Sequence, residues 1–180
     1  MKIISYEPHL MKYYLEFIPD AVLLAIEKYN ITVNDKPEEV TFEKCRLLLE
    51  DTDSIMVKGR LKSGDIAYIN IFVCSKENVL HEIGHVFDIK GANDYYLSGT
   101  PEFKKIFKKE CALAEYDEYL SKNTKEYFAE SFVDYCLDYE LMEKNRPLTH
   151  AYIKRAVESL PESNIAEQVK IEWDKNYFSK

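Results

Sequence analysis

Residues 75–89 read Ser-Lys-Glu-Asn-Val-Leu-His-Glu-Ile-Gly-His-Val-Phe-Asp-Ile. At helical period, Leu80, Ile83 and Phe87 form an apolar face, while His81 and His85, four residues apart, share another. Two imidazoles one turn apart can each place a nitrogen about 2.0–2.1 Å from a single zinc ion. Glu82 then stands beside that ion without ligating it, where it can take a proton from a bound water. Ser75 is the expected N-cap of a helix over 76–89, and Gly91 is expected to close it in the left-handed conformation. With 4 histidines in 180 residues, H-E-x-x-H arises by chance in roughly one shuffled sequence in a hundred. Here it also falls on a helical segment directly after a predicted core strand. That context favours a built site over two histidines and a glutamate that happen to share a surface helix.

Upstream of this helix the period is 2. Ile66, Tyr68, Ile69, Ile71 and Val73 mark one strand and Ile55, Val57 and Leu61 another, with Ser63-Gly64-Asp65 as the hairpin turn between them. Ile31-Thr32-Val33 suggests a further short strand. Before it, Asp20 is the expected N-cap of a short helix through Val22, Leu23, Ile26 and Tyr29 that ends at Asn30. A first helix follows Pro8, with Leu10, Tyr13, Tyr14, Phe17 and Ile18 as its apolar stripe and Pro19 as its stop. Downstream nearly everything is helical. Pro101 opens a helix through Phe103, Ile106 and Phe107, and a break is expected within 119–124. A long helix over 125–144 carries Phe128, Phe132, Tyr135 and Tyr139, and Pro147 opens another to Ser159. Pro161 separates a helical tail containing Trp173. The fold class is therefore α+β: a small sheet in the N-terminal half, an active-site helix, and a helical C-terminal half in which the two longest helices can pack together. The chain reads as one domain over 1–180, with helices and sheet in 1–75, active-site helices in 76–160 and the tail in 161–180.

Composition narrows the function classes. At 46% hydrophobic and 31% charged residues the chain is a globular domain, not a disordered one. A formal net charge of -8 and a pI near 5.1 repel phosphates, so neither nucleic acid nor an anionic membrane is an expected partner. Its longest apolar stretch, Ile66 to Cys74, is strand-length, far short of the roughly 18 to 20 residues of a membrane span. The first residues break their apolar run after Ile4, so no secretory h-region is expected. The chain as written is expected to be cytoplasmic and monomeric, with delivery or secretion by a non-standard route as the alternative. Cys45, Cys74, Cys111 and Cys136 form no C-x-x-C pair, which argues against a cysteine zinc site. They are expected to be reduced and mostly buried.

A zinc site of this kind needs a third protein ligand and one open position. The histidine of H-E-x-x-H-x-x-G-x-x-H is absent, because position 88 is Asp and position 91 is Gly, and His9 and His150 have no ligand-like spacing. A carboxylate must complete the set, from Glu102, Glu110, Glu115, Glu118, Glu126, Glu130 and Asp134. By spacing the best pair is Glu126 and Glu130, again i and i+4. One can reach the ion while the other orients a ligating histidine, and spacing alone leaves open which does which.

Together these pieces resemble the catalytic domain of anthrax toxin lethal factor and the related secreted Pro-Pro endopeptidases. That family has H-E-x-G-H-x-x-D, then a tyrosine seven residues before a glutamate that opens an E-(F/Y)-F-A-E-x-F helix. Here the matching stretches are His-Glu-Ile-Gly-His-Val-Phe-Asp at 81–88, Tyr119, and Glu-Tyr-Phe-Ala-Glu-Ser-Phe at 126–132. Pro101 to Phe107, Pro147, Thr149 and Ile153 also look like the family's segments, so the resemblance spans about 76–157. It implies a zincin-like α+β fold and a gluzincin-type zinc metallopeptidase with one Zn2+ per chain, acting on a protein or peptide. It further implies His81, His85 and Glu126 as ligands, Glu82 as general base, Tyr119 as the phenol facing the scissile carbonyl, and Glu130 as support for a ligand. An alternative with the same chemistry resembles the ImmA/IrrE group, intracellular zinc peptidases that cleave a repressor; the Tyr119 to Glu126 spacing favours the lethal-factor resemblance. The alternative from another class is a non-catalytic zinc-binding interaction protein.

Overall fold

The computed structural model describes residues 1–36, 54–63, 65–75, 77–89, 96–113 and 123–160. Among them a four-stranded sheet has the order β1 (Lys2–Ile4), β2 (Ile31–Asn34), β4 (Ile66–Val73), β3 (Ser54–Arg60). β1, β2 and β4 are parallel, and β3 runs antiparallel to β4 along the edge. β1 was not foreseen. Its three residues are too few to show a period, yet Ile3 buries its side chain and pairs with Val33. Parallel neighbours need a crossover, here supplied by α1 (Pro8–Leu15) and α2 (Asp20–Glu27). Asn30 closes α2 with a φ of 48° and ties the turn to the sheet by donating from Nδ2 to the Ala67 carbonyl. As the period-2 pattern requires, Ile31, Val33, Ile69, Ile71 and Val73 face the main core, and Phe72 packs with Ile55 and Val57 on the opposite face.

The helices that follow are α3 (Asn78–Asp88), α4 (Pro101–Glu110), α5 (Thr124–Leu137), α6 (Tyr139–Asn145) and α7 (Pro147–Glu158). The expected architecture of sheet followed by helices holds, with local corrections. In α1 the buried residues are Met11 and Leu15, with Ile18 buried as expected just beyond the helix and Tyr14 packed on the core, while Leu10 and Tyr13 are 40% and 53% exposed. Both stripes have helical spacing, and period cannot choose between them when tyrosines, with an apolar ring and a wet hydroxyl, fit either side. Helix α3 starts at Asn78 with Glu77 as its cap, two residues past the expected cap Ser75. The expected single helix over 125–144 breaks at Asp138, whose φ of -130° and ψ of 44° end α5 and begin α6, letting Met142 turn inward. Of the cysteines expected to be mostly buried, Cys74 is exposed and Cys111 and Cys136 are half-buried; all three are free thiols. Cys45, Tyr119, the Gly91 helix end and the tail over 161–180 lie outside the described residues.

The core of the helical half is aromatic: Phe87, Phe103, Tyr127, Phe128 and Phe132 meet at centroid distances of 5.3 to 6.0 Å. Polar ties hold the helices in place around it. Thr100 caps α4 by accepting from the Phe103 amide, and Asn123 caps α5 by accepting from the Lys125 amide. Glu110 at the end of α4 accepts from the Leu148 and Thr149 amides, a carboxylate at the N-terminus of α7, where the helix dipole favours it.

Helices α3 and α5 pack against each other, and Gly84 sets their separation. A Cβ at Gly84 would lie 2.9 Å from both the Cα and the carbonyl oxygen of Ala129, atoms of backbone that cannot swing aside. We expect Gly84→Ala to destabilise the fold by about 1–3 kcal/mol from overpacking. This exceeds the roughly 0.8–1.0 kcal/mol of helix propensity that alanine brings. Urea unfolding of the two proteins measures the difference, and a stabilised variant would show that the helices can part freely.

Candidate metal centre

The close approach at Gly84 decides what else meets there. His81, Gly84 and His85 lie at i, i+3 and i+4 on one face of α3; Glu126, Ala129 and Glu130 lie at the same offsets on α5. With glycine against alanine at the centre, the flanking side chains reach one another across the seam. His81 Nε2 and His85 Nε2 are each 3.2 Å from Glu126 Oε2, and His81 Nδ1 is 3.0 Å from Glu130 Oε2. The two imidazoles stand edge to face at 85°, with centroids 4.7 Å apart. Among the described residues one group of His, Cys, Asp and Glu side chains can hold a metal ion: His81, His85 and Glu126, whose ligand atoms all lie within 4.8 Å of one another. Glu126 occupies the first turn of α5, where the helix dipole favours its negative charge.

The two glutamates stand differently to the histidines. Glu126 touches both histidines through one oxygen, on the side where their Nε2 atoms converge, while Glu130 touches only the far nitrogen of His81. Burial would drive His81 towards neutrality, but the hydrogen bonds its ring donates to the Glu126 and Glu130 carboxylates outweigh it and push its pKa up to about 9. Burial raises the Glu126 carboxyl, and its hydrogen bonds with His81 and His85 outweigh that, holding it well below the usual carboxylate range.

Glu82 is 4% exposed and accepts a 2.6 Å hydrogen bond from Ser54 Oγ, at the start of the edge strand. Four residues along the same face of β3, Lys58 donates to Tyr96 Oη at 2.8 Å, and Lys125 Nζ lies 3.7 Å from the centre of the same ring. Asp88, buried at the end of α3, accepts at 2.6 Å from both the amide and the hydroxyl of Ser98, fixing the segment after Tyr96 to the helix. Burial raises the Asp88 pKa, against the opposing pull of those bonds from Ser98. Sequence reasoning missed Ser54, Ser98 and Tyr96, since a serine or tyrosine distant in sequence shows no spacing to the motif. Asp88 was visible only as the last letter of the motif, with no role.

Among the described residues, the other acids considered as ligands are engaged elsewhere. Glu102 pairs with Arg155, Asp134 with Arg146, and Glu110 caps α7. His9 sits exposed on α1, and His150 is buried on α7 against the Tyr139 ring, at 4.4 Å between centroids. Glu115, Glu118 and Tyr119 lie outside the described residues.

A helix pair that brings two histidines and a glutamate to one point, beside a small mixed sheet, is the setting of a metallopeptidase-like domain. The family model described as "Anthrax toxin lethal factor, N- and C-terminal domain" matches residues 61–156, and the chain belongs to that family. Its fold is similar to that of the Pro-Pro endopeptidase PPEP-2 from Paenibacillus alvei, with a TM-score of 0.60 and 22% identity over 85% of this chain and 96% of that one. No curated protein matches the chain in sequence. Membership and fold together support a metalloendopeptidase in general terms. Among the described residues no helix is long and apolar enough to cross a membrane.

Because His81 is held protonated at neutral pH, a divalent cation entering between His81, His85 and Glu126 must displace that proton. Uptake of Zn2+ by chelator-treated protein at pH 7 should therefore release protons, read as a buffer-dependent heat in calorimetry. Affinity should fall by about tenfold per pH unit for each proton displaced as the pH is lowered. Uptake indifferent to buffer and pH would show that the cation binds elsewhere.

Proposed function

We propose that this chain is a zinc-dependent metalloendopeptidase of the zincin type, hydrolysing peptide bonds in a protein or peptide substrate as one domain over 1–180. The observation that carries the reading is the convergence of His81 Nε2, His85 Nε2 and a Glu126 oxygen, with the buried Glu82 carboxylate on the same helix. Two imidazoles and a carboxylate are the donor set of catalytic zinc, which keeps a further position open for water or substrate. Membership of the lethal-factor family and the likeness to a Pro-Pro endopeptidase fold support the same reaction class.

In this reading one ion per chain is held by His81, His85 and Glu126. The chemistry it supplies when bound is acidification of water and polarisation of the scissile carbonyl. Glu130 accepts from Nδ1–H of His81, which fixes the tautomer that leaves the Nε2 lone pair facing the ion. Glu82 takes the proton of the attacking water and delivers it to the leaving amine. Tyr119, in the role the family resemblance implies, donates its phenol hydroxyl to the oxyanion that forms as water adds to the carbonyl.

Metal content per chain by mass spectrometry tests the ligand set: one zinc in the wild type, lost in Glu126→Ala and largely kept in Glu130→Ala. Cleavage of a synthetic peptide library then tests the reaction. Glu82→Gln should abolish turnover with zinc still bound, and Tyr119→Phe should lower kcat by about 10²–10³. A wild type that binds zinc and cleaves nothing, with Glu82→Gln indistinguishable from it, would make the protein a zinc-binding interaction domain instead.

A further inference from the structure

We infer that Ser54 is a positioning residue for the general base, through the hydrogen bond it donates to Glu82; the inference rests on the peptidase reading above. A glutamate has three side-chain torsions, and a carboxylate that must meet a water proton in one orientation needs something other than its own helix to hold it. Strand β3 provides that hold. Ser54 is its first residue and is fixed in the sheet by its register with Val73, the last residue of β4. From there its hydroxyl sits 2.6 Å from Oε1 of Glu82, a short bond of the kind expected between a hydroxyl and a charged carboxylate. Glu82 is 4% exposed, so the hydroxyl replaces a water that bulk solvent would otherwise supply to that oxygen. One carboxylate oxygen is thereby engaged, and the other is left for the proton.

The register of β3 makes this hold more than a local contact. Ser54, Met56 and Lys58 alternate onto the face of β3 that looks towards the helices: Met56 packs on the main core, while Ile55 and Val57 pack on the far side. Ser54 binds Glu82 at one end of this row, and Lys58 binds Tyr96 at the other. The strand is thus docked at two points over α3 and the segment that follows it. A shift of β3 by a single residue would turn Ser54 away from the base altogether.

The test compares wild type, Ser54→Ala and Ser54→Thr, all zinc-loaded, on the peptide that the wild type cleaves best from a synthetic library. Loss of the hydroxyl should lower kcat by about 10- to 100-fold, the usual cost of removing a group that orients a site residue. KM should change by no more than about twofold, because the substrate is not touched. Threonine, which keeps the hydroxyl, should recover most of the rate. Zinc per chain and Tm should be the same in all three proteins. An Ala variant with wild-type kcat would overturn the inference, and so would a Thr variant as slow as the Ala variant, or loss that tracks zinc or Tm. A wild type with no cleavage, and with Glu82→Gln no different, removes the peptidase reading itself, a result recognisable before any Ser54 variant is made.

Discussion

The contact on which the site depends is the one with the least chemistry in it: the hydrogen of Gly84 against the backbone of Ala129. Two helices with ordinary side chains between them stand about 8–10 Å apart, and short side chains at the crossing let them come closer. That closeness lets the His81 and His85 rings and the Glu126 and Glu130 carboxylates meet directly across the seam, at 3.0 to 3.2 Å. The pattern i, i+3, i+4 with a small residue in the middle appears on both helices, so each presents a flat centre flanked by polar arms. The aromatic packing of Phe87 on Phe128 and Phe132, from the same two helices, lies behind the seam and holds it in register.

Placing so many ionisable groups together has an energetic cost, and the fold offsets it locally. Two carboxylates within reach of one imidazole repel each other unless a cation or a proton lies between them. The N-terminus of α5 favours the Glu126 charge, and His85, in the last turn of α3, is where a helix favours positive charge. Elsewhere in the helical half, buried acids meet donors in the same way. Glu110 takes two amides and the Thr149 hydroxyl, and Asp88 takes both donors of Ser98. These bonds satisfy groups that would be expensive to bury alone. They also place the ends of α3 and α7 where the aromatic core requires them.

What the sequence made legible divides along a physical line. His81, Glu82, His85, Glu126 and Glu130 were readable because helical spacing is a one-dimensional record of a shared face. The hairpin of β3 and β4 was readable because period 2 and turn residues are equally local. Ser54, Ser98 and Tyr96 were not, since their role comes from the strand and segment that bring them to α3, and nothing in their spacing to the motif records that approach. The errors have the same origin. Of the stripe expected on α1, Ile18 and Tyr14 do meet the core, but Leu10, Tyr13 and Phe17 face out and Met11 and Leu15 are buried instead, because tyrosine is compatible with both core and surface. The break at Asp138 was missed because Phe128, Phe132, Tyr135 and Tyr139 keep helical spacing straight across it. Tyr139 lies on α6, where its half-buried ring meets Tyr135 at 5.1 Å and His150 at 4.4 Å.

The same division explains how the fold persists at 22% identity to a Pro-Pro endopeptidase. An aromatic and aliphatic core tolerates exchange of one apolar side chain for another of similar volume, usually at less than about 1.5 kcal/mol per swap. Most of the buried positions here, from Met11 and Ile26 to Phe103 and Ile153, are of that tolerant kind. The seam positions His81, Gly84 and His85 on α3 and Glu126, Ala129 and Glu130 on α5 are not. Gly84 has no room for a methyl, and a shift of either helix by one residue would rotate its polar arms about 100° out of the seam. Sequence can therefore drift over most of the chain while these two short faces stay legible. It is on them, more than on the sheet or the core, that the proposed chemistry depends.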